Sequence, residues 1–329
     1  MNVLVTGATG FIGRRLVERL VRDKREVKAL VRPESAASWL TDLGVKVVRG
    51  DIRYAEAVLR AVEGCRTVFH LAANVDSAAR KDVFETNVRG TENIAAAATR
   101  ERVNRLVFCS SASVYGRVVR NRAINEQTRL RPDTPYGESK LLAERIVLGQ
   151  NVQLPAVVTR FTTVWGEGMQ NWTGLFQSIA SRRFRLVGNG ANHHHVVDVR
   201  DLVEGLLLCG SVQNIERRTY ILAGSEPVQL RNLVRLIGNE VGVTSFPPNL
   251  PSAPLWAYKV FDRLAATLLG RNLPRADRLA MFLGDRIFDN SRARAELGYS
   301  PQISLGQTVH TVVEWLRSQG KLPQLRGTL

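Results

Sequence analysis

Tyr136 and Lys140 stand four residues apart in PYGESK, directly after Pro135. If the proline opens a helix, one turn brings both side chains to the same face. A phenol has an ordinary pKa near 10 and is a poor base at neutral pH. A neighbouring ammonium favours its ionised form. Such a tyrosine can take the proton of a secondary alcohol while a nicotinamide takes the hydride, and can return it in reverse. The plainer reading is an exposed first turn, with Lys140 in solvent and Tyr136 half buried.

That chemistry needs a hydroxyl to hold the substrate oxygen. VFCSSASVYG supplies Ser110, Ser111 and Ser113 at the end of an apolar run. It also needs a dinucleotide. VTGATGFIGRRL sets Gly7, Gly10 and Gly13 between a strand pattern and a helix pattern, with Phe11 and Ile12 inside the turn. Glycines let the chain turn sharply and let its amides approach a pyrophosphate at a helix N-terminus. Asp51 with Ile52 after one later strand, and Leu71, Ala72 and Ala73 at and after the end of another, are further candidates to line a cofactor. An NAD site of this kind carries an acidic residue roughly 20 residues past the glycines. ALVRPES has Arg32 there and no carboxylate before Glu34. A guanidinium can grip a 2′-phosphate, so NADP is the expected cofactor. NAD stays open if Arg32 only stacks on adenine. Asp51 reads equally as an adenine contact or a helix cap.

These groups must be positioned by a sheet. Val3–Thr6, Val27–Val31, Val45–Val48, Thr67–Leu71, Leu106–Ser110 and Ala156–Arg160 read as strands, with helices such as Phe11–Arg22 and Val83–Ala98 between them. Near-continuous Val/Leu runs alternating with helices predict an α/β fold, a doubly wound parallel sheet of Rossmann type. After Arg160 the loops lengthen, and a smaller, partly interleaved C-terminal substrate domain is expected. The division is 1–165 with 196–223 returning to it, against 166–195 and 224–329. Trp256, Val260, Leu264 and Leu268 predict a further helix after a proline-rich stretch. Its Lys259 and Arg263 leave peripheral membrane contact open, with packing on its own domain preferred.

The 329 residues are 44% hydrophobic and 23% charged, enough to build a core. Cys65, Cys109 and Cys209 are far apart, which fits a reducing compartment and no structural zinc. The opening shows no basic segment followed by a long apolar one, and no apolar run suits a membrane span, so a cytoplasmic location is expected. The net charge is +16, but the basic residues are scattered and no RNA-binding motif accompanies them. Specific nucleic-acid binding is not expected. His193, His194 and His195 are adjacent, so their side chains diverge; no metal site is expected, and His195 is a candidate to line a substrate cleft.

Taken together, TGATGFIG, HLAA, ETNVRGTEN, SSASVYG, TPYGESK and FDNSRARAELGYSP resemble the extended short-chain dehydrogenase/reductase family, also called the NAD-dependent epimerase/dehydratase family. The resemblance spans most of the chain. It implies Tyr136 as acid/base, Lys140 as its electrostatic partner and Ser111 as the donor to the substrate oxygen. It implies that Asn87 shapes the site near the cofactor, unless it only starts a helix. It implies a homodimer joined through two helices, one bearing the Tyr–Lys pair. The chain departs from dehydratases, having Ala112 and Ser113 where an acidic pair would stand. It departs from sugar-nucleotide epimerases at Thr163 and His194, two expected nucleotide contacts. The expectation is an NAD(P)-dependent oxidoreductase or epimerase acting at a secondary alcohol or ketone, with a sugar or sugar-nucleotide-like substrate narrowly preferred. An apolar hydroxy or keto substrate is the alternative, and a non-catalytic Rossmann redox sensor a third reading.

Overall fold

A computed structural model describes residues 2–75, 79–116, 123–149, 154–251 and 284–324. The helix expected around Trp256, Val260, Leu264 and Leu268 lies outside the described residues. Seven strands form one parallel sheet: β1 (Val3–Thr6), β2 (Val27–Val31), β3 (Lys46–Arg49), β4 (Thr67–His70), β5 (Arg105–Cys109), β6 (Ala156–Phe161) and β10 (Thr219–Leu222). Their spatial order is β10-β6-β5-β4-β1-β2-β3. β1 and β5 are buried along their whole length, because helices cover both faces of the sheet there.

On one face, α1 (Phe11–Arg22) and α8 (Val199–Ser211) bury Leu16, Val17, Leu202 and Leu206 against the sheet. On the other, α3 (Ala55–Val62), α5 (Gly90–Arg100) and α6 (Pro135–Val147) bury Val58, Ile94, Ala97, Ala143 and Val147. The chain runs outward from β1 through β2 to β3, then returns to place β4 on the opposite side of β1. That reversal opens a crevice at the carboxyl ends of β1 and β4, where sheets of this kind bind ligands.

A second core gathers Trp165, Phe176, Leu233, Ile237, Val312 and Leu316. These come from β7 (Thr163–Trp165), α7 (Thr173–Ala180), α9 (Leu230–Glu240) and a late helix, α11 (Leu305–Ser318). β7 pairs in parallel with β9 (Val196–Asp198), and β8 (His193–His194) pairs antiparallel with β11 (Val228–Gln229). Between β9 and β11 the chain gives α8 and β10 to the first core. It does so again at α10 (Ser291–Leu297), where Ala293, Leu297 and Tyr299 pack in the same cluster as Val5, Leu202 and Leu222. The sequence division had placed these three residues with the second unit.

The helix expected over 83–98 is interrupted. α4 (Arg80–Phe84) passes into one wide turn at Glu85–Arg89 before α5 begins. Such wide turns are costly and recur at functional sites.

Candidate active site

The glycine turn is built by close approach. Gly7 has φ +72°, and a Cβ there would lie 2.7 Å from the Ala72 amide. A Cβ on Gly13 would lie 2.1 Å from the Gly7 carbonyl oxygen. Only bare backbone fits both places. The first turn of α1 therefore sits directly on the end of β1, with its free amides and positive dipole end at the crevice. The cradle fits a dinucleotide pyrophosphate.

Beneath the turn, His70 is fully buried and links three elements. Its Nδ1 lies 2.7 Å from Thr6 Oγ1 and its Nε2 3.1 Å from Thr91 Oγ1. The proton's place follows from the partners. Thr91 donates to the Asn87 carbonyl at 2.6 Å, so it accepts from His70 Nε2–H. Nδ1 then accepts from Thr6, whose oxygen accepts from the Ala72 amide at 3.2 Å. Burial, together with the charge of Lys140, depresses the imidazole to about 3, so it stays neutral. It is a strut tying β1, β4 and α5 under the turn.

Pro135 stands at the first helical position of α6, and Thr134 caps it by accepting from the Gly137 amide at 3.0 Å. Proline and threonine so placed start a helix firmly. Tyr136 and Lys140 lie one turn apart and both line the crevice. Lys140 is 2% exposed, and its ammonium lies 4.5 Å from the centre of the Phe108 ring. Burial pulls it down to about 8, against the opposing pull of Cys109 and Glu144. Cys109 also lines the crevice; burial pushes its thiol up to about 12, so it is uncharged.

Further along α6, the buried Glu144 receives Arg160 Nε at 2.9 Å and Nη2 at 2.6 Å, and also the Ser110 hydroxyl. Arg160 reaches the Tyr115 hydroxyl at 2.9 Å. This satisfied ion pair locks α6 to β6 and to the end of β5, which fixes the height of Tyr136 over the sheet.

Asn87 is buried in the wide turn before α5. Its Oδ1 accepts from the Asn74 amide at 2.7 Å, and its Nδ2 donates to the Asn74 carbonyl at 3.0 Å and to Ser139 Oγ at 2.9 Å. It clamps the segment after β4 to α6, at the edge of the crevice.

The crevice encloses about 640 Å³. Of the sequence candidates, Gly7, Gly10, Phe11, Ile12, Gly13, Leu71, Ala73, Tyr136 and Lys140 line it. Its far wall is Phe161, Val164, Met169 and Trp172, with Gln170 and Asn171. Sequence reasoning missed this wall. Its signal was the long loop GEGMQNWTG, which has no periodicity to read. Gly168, at φ +99°, sets that loop against the Phe11 ring, where a Cβ at Gly168 would lie 3.4 Å from it.

The other candidates do not line the crevice. Ser111 is half-buried and closes the short turn Ala112–Tyr115, accepting from the Ser113 amide and donating to Ser113 Oγ, both at 3.1 Å. Ala72 stands behind the glycine turn. Ile52 is buried under Gly90. Asp51 accepts from the Arg53 amide and guanidinium. Burial would raise its carboxyl, but Arg53 and the charge of Arg32 hold it below the usual range. Arg32 is 66% exposed and lies 3.4 Å from Glu34. Thr163 begins β7. His194 is buried, with Nε2 3.3 Å from Asn192 Nδ2.

His195 lies in the core rather than on the crevice. Its Nε2 is 3.0 Å from the Gly224 carbonyl, and its Nδ1 accepts from the Phe288 amide at 3.2 Å. Both nitrogens are spent on backbone. His193 pairs with Asp285 at 2.7 Å. Among the described residues no group of three His, Cys, Asp or Glu side chains could hold a metal. No helix among them is long and apolar enough to cross a membrane.

Comparison with known proteins adds to this geometry. The model of the NAD dependent epimerase/dehydratase family matches residues 3–222. A 4-hydroxy-2-methyl-3-oxo-4-farnesyl-3,4-dihydroquinoline-1-oxide ketoreductase of Stigmatella aurantiaca is 31% identical over 312 residues, covering 92% of this chain and 93% of that protein. A 2-alkyl-3-oxoalkanoate reductase of Stenotrophomonas maltophilia (strain K279a) is 31% identical over 341 residues, covering 93% and 96%. The crystal structure of gox2253 superposes with a TM-score of 0.85 at 27% identity, covering 98% of this chain and 99% of that one.

Proposed function

The chain belongs to the NAD dependent epimerase/dehydratase family, and from that premise we propose that it is an NADP-preferring ketoreductase, or the matching alcohol dehydrogenase, for a substrate with an apolar body. What carries the reading is one crevice in which the glycine turn and the Tyr136–Lys140 pair face an apolar wall of Phe161, Val164, Met169 and Trp172. The two relatives at 31% identity are named a ketoreductase of a farnesyl-bearing dihydroquinoline oxide and a 2-alkyl-3-oxoalkanoate reductase. The sugar-nucleotide reading has the family's breadth behind it. The substitutions at Thr163 and His194 count against it.

The dinucleotide, when bound, supplies hydride from its nicotinamide. The chain's own work is to hold the carbonyl and move the proton. Tyr136 donates its phenolic proton to the carbonyl oxygen as the alkoxide forms, and Lys140 stabilises the phenolate left behind. Ser111 donates a second hydrogen bond to the same oxygen, which requires its hydroxyl to turn from Ser113. The apolar wall excludes water. A homodimer through α5 and α6 and NADP held at Arg32 complete the proposal.

The test follows absorbance of reduced nicotinamide with an alkyl ketone and with a UDP-sugar. A ketoreductase consumes one reduced cofactor per ketone, whereas an epimerase gives no net change. Tyr136→Phe is expected to lower kcat by about 10²- to 10⁴-fold with cofactor affinity nearly unchanged. Full activity in that variant removes the assignment.

A further inference from the structure

Buried threonine hydroxyls near this sheet find partners. Thr6 and Thr91 are joined through His70, and Thr159 donates to the Phe108 carbonyl at 3.3 Å. Thr162 differs. It is 6% exposed, and its Oγ1 has no hydrogen-bond partner among the described residues. Arg105 Nε, Trp165 Nε1 and Thr173 Oγ1 share that condition, but of these four residues only Thr162 lines the crevice. Leaving a buried hydroxyl unpaired is costly, and valine would fill the same space without that cost.

The height of Thr162 over the sheet follows from β6. Ala156 and Val158 pack in one cluster with Ala143 and Val147 of α6, and Arg160 pairs with Glu144. Alternate residues of a strand share a face. The Thr162 amide still donates to the Leu222 carbonyl of the neighbouring strand at 3.3 Å, so Thr162 continues this row. Two residues along a strand advance about 6.6 Å, and one turn back along α6, from Glu144 to Lys140, advances about 6 Å. Strand and helix run in opposite directions, so Thr162 comes level with Lys140, and both line the crevice.

The course of a dinucleotide decides what that hydroxyl would meet. With the pyrophosphate on the glycine turn at β1 and the adenosine side over β2 and β3, where Arg32 and Asp51 stand, the nicotinamide half would extend over β4, β5 and β6. The one polar substituent of that ring is its carboxamide. Phe161 and Val164 offer it no side-chain partner, and the Cys109 thiol is uncharged. We propose that Thr162 is a cofactor-positioning residue whose hydroxyl is reserved for the nicotinamide carboxamide. A hydroxyl can accept from the amide N–H or donate to its carbonyl. Holding that group fixes the rotation of the ring, and with it the face turned to Tyr136. The inference rests on the reading of the crevice as a dinucleotide site. Thr162 belongs to the strand ends beneath the dinucleotide, whereas Met169 and Trp172 of the apolar wall come from the loop beyond.

The experiment titrates wild type, Thr162→Val and Thr162→Ser calorimetrically with NADP and with 2′-phospho-ADP-ribose, which lacks the nicotinamide, and likewise with NAD and ADP-ribose. Thr162→Val is expected to weaken the whole dinucleotide by about 3- to 10-fold, the worth of one hydrogen bond, and to leave the fragment unmoved. Thr162→Ser, which keeps the hydroxyl, should recover most of the loss. The urea midpoint of the unloaded Thr162→Val protein should hold or rise, because an unpaired polar group has gone. A merely structural role would lower that midpoint and weaken dinucleotide and fragment alike, which overturns the proposal. So does an unchanged dinucleotide affinity, or a change confined to KM for the ketone, which would give the hydroxyl to the substrate. If wild type binds neither dinucleotide nor fragment, the cofactor reading falls and this inference with it.

Discussion

At Lys140 a charge is held where water cannot reach it, and that costs stability. Its folded pKa, about 8, lies below the ordinary 10.5. Below pH 8 the lysine is protonated in both folded and unfolded chains, and the folded chain carries the whole burial cost. Between about 8 and 10.5 the unfolded chain holds more protons, so this group makes stability rise with pH. Lys140→Met is therefore expected to stabilise the cofactor-free protein at pH 7 by up to about 3 kcal/mol, while abolishing turnover. Denaturant titrations of both proteins should converge as the pH approaches 10.5. A Met variant less stable at pH 7 would show that the Phe108 contact outweighs burial. Arg32, by contrast, is an exposed reader: Arg32→Asp is expected to reverse the cofactor preference by at least about 10-fold in kcat/KM, consistent with the worth of a charge-assisted contact. An unmoved NADP/NAD ratio removes it as the phosphate ligand. The Tyr136–Lys140 pair was legible because its spacing is local and helical. His195 was not legible from its run of histidines, because adjacency in sequence says nothing about which backbone groups a ring will meet.

Among the elements, the wide turn at Glu85–Arg89 matters most, because it aims Asn87 at the segment leaving β4. Asn87→Ala removes its hydrogen bonds to the Asn74 backbone and to Ser139. Each loss of a buried partner costs about 1–3 kcal/mol, so stability in urea should fall by at least that amount. Cofactor affinity should fall with it, as Val75 is released from the crevice edge. Unchanged affinity in a folded variant would reduce Asn87 to a structural residue. The strands and α1 were readable to within a residue or so, since period and burial agree along them. The interruption of the 83–98 helix was not, because a side-chain clamp to residues far apart in sequence creates it and no propensity announces it. The apolar wall at Val164–Trp172 escaped for a related reason: a loop has no period to betray which side faces a ligand.

For the whole molecule the open matter is how two protomers would meet. α5 and α6 lie side by side over one face of the sheet, joined through a common apolar cluster. Their outer surface carries Glu92, Ala96 and Arg145, all exposed, and Leu142, 36% exposed and one of the exposed large apolar side chains among the described residues. A two-fold seam there would bury Leu142 of both copies and brace α6 from outside, opposite its attachment through Glu144 to Arg160. Stable interfaces of this kind bury about 1,600 Å², and a charged side chain at the centre of such a patch is poorly tolerated. Leu142→Glu is therefore expected to turn a dimer into a monomer in sedimentation equilibrium. Each protomer is charged +16, so like charges oppose pairing and added salt should tighten the wild-type dimer. A wild type that sediments as a monomer at every salt concentration removes the dimer. A variant still dimeric moves the seam elsewhere. Because Tyr136 and Lys140 face the crevice rather than this surface, the monomer should keep its cofactor, and any loss of turnover would measure how far the second copy steadies α6.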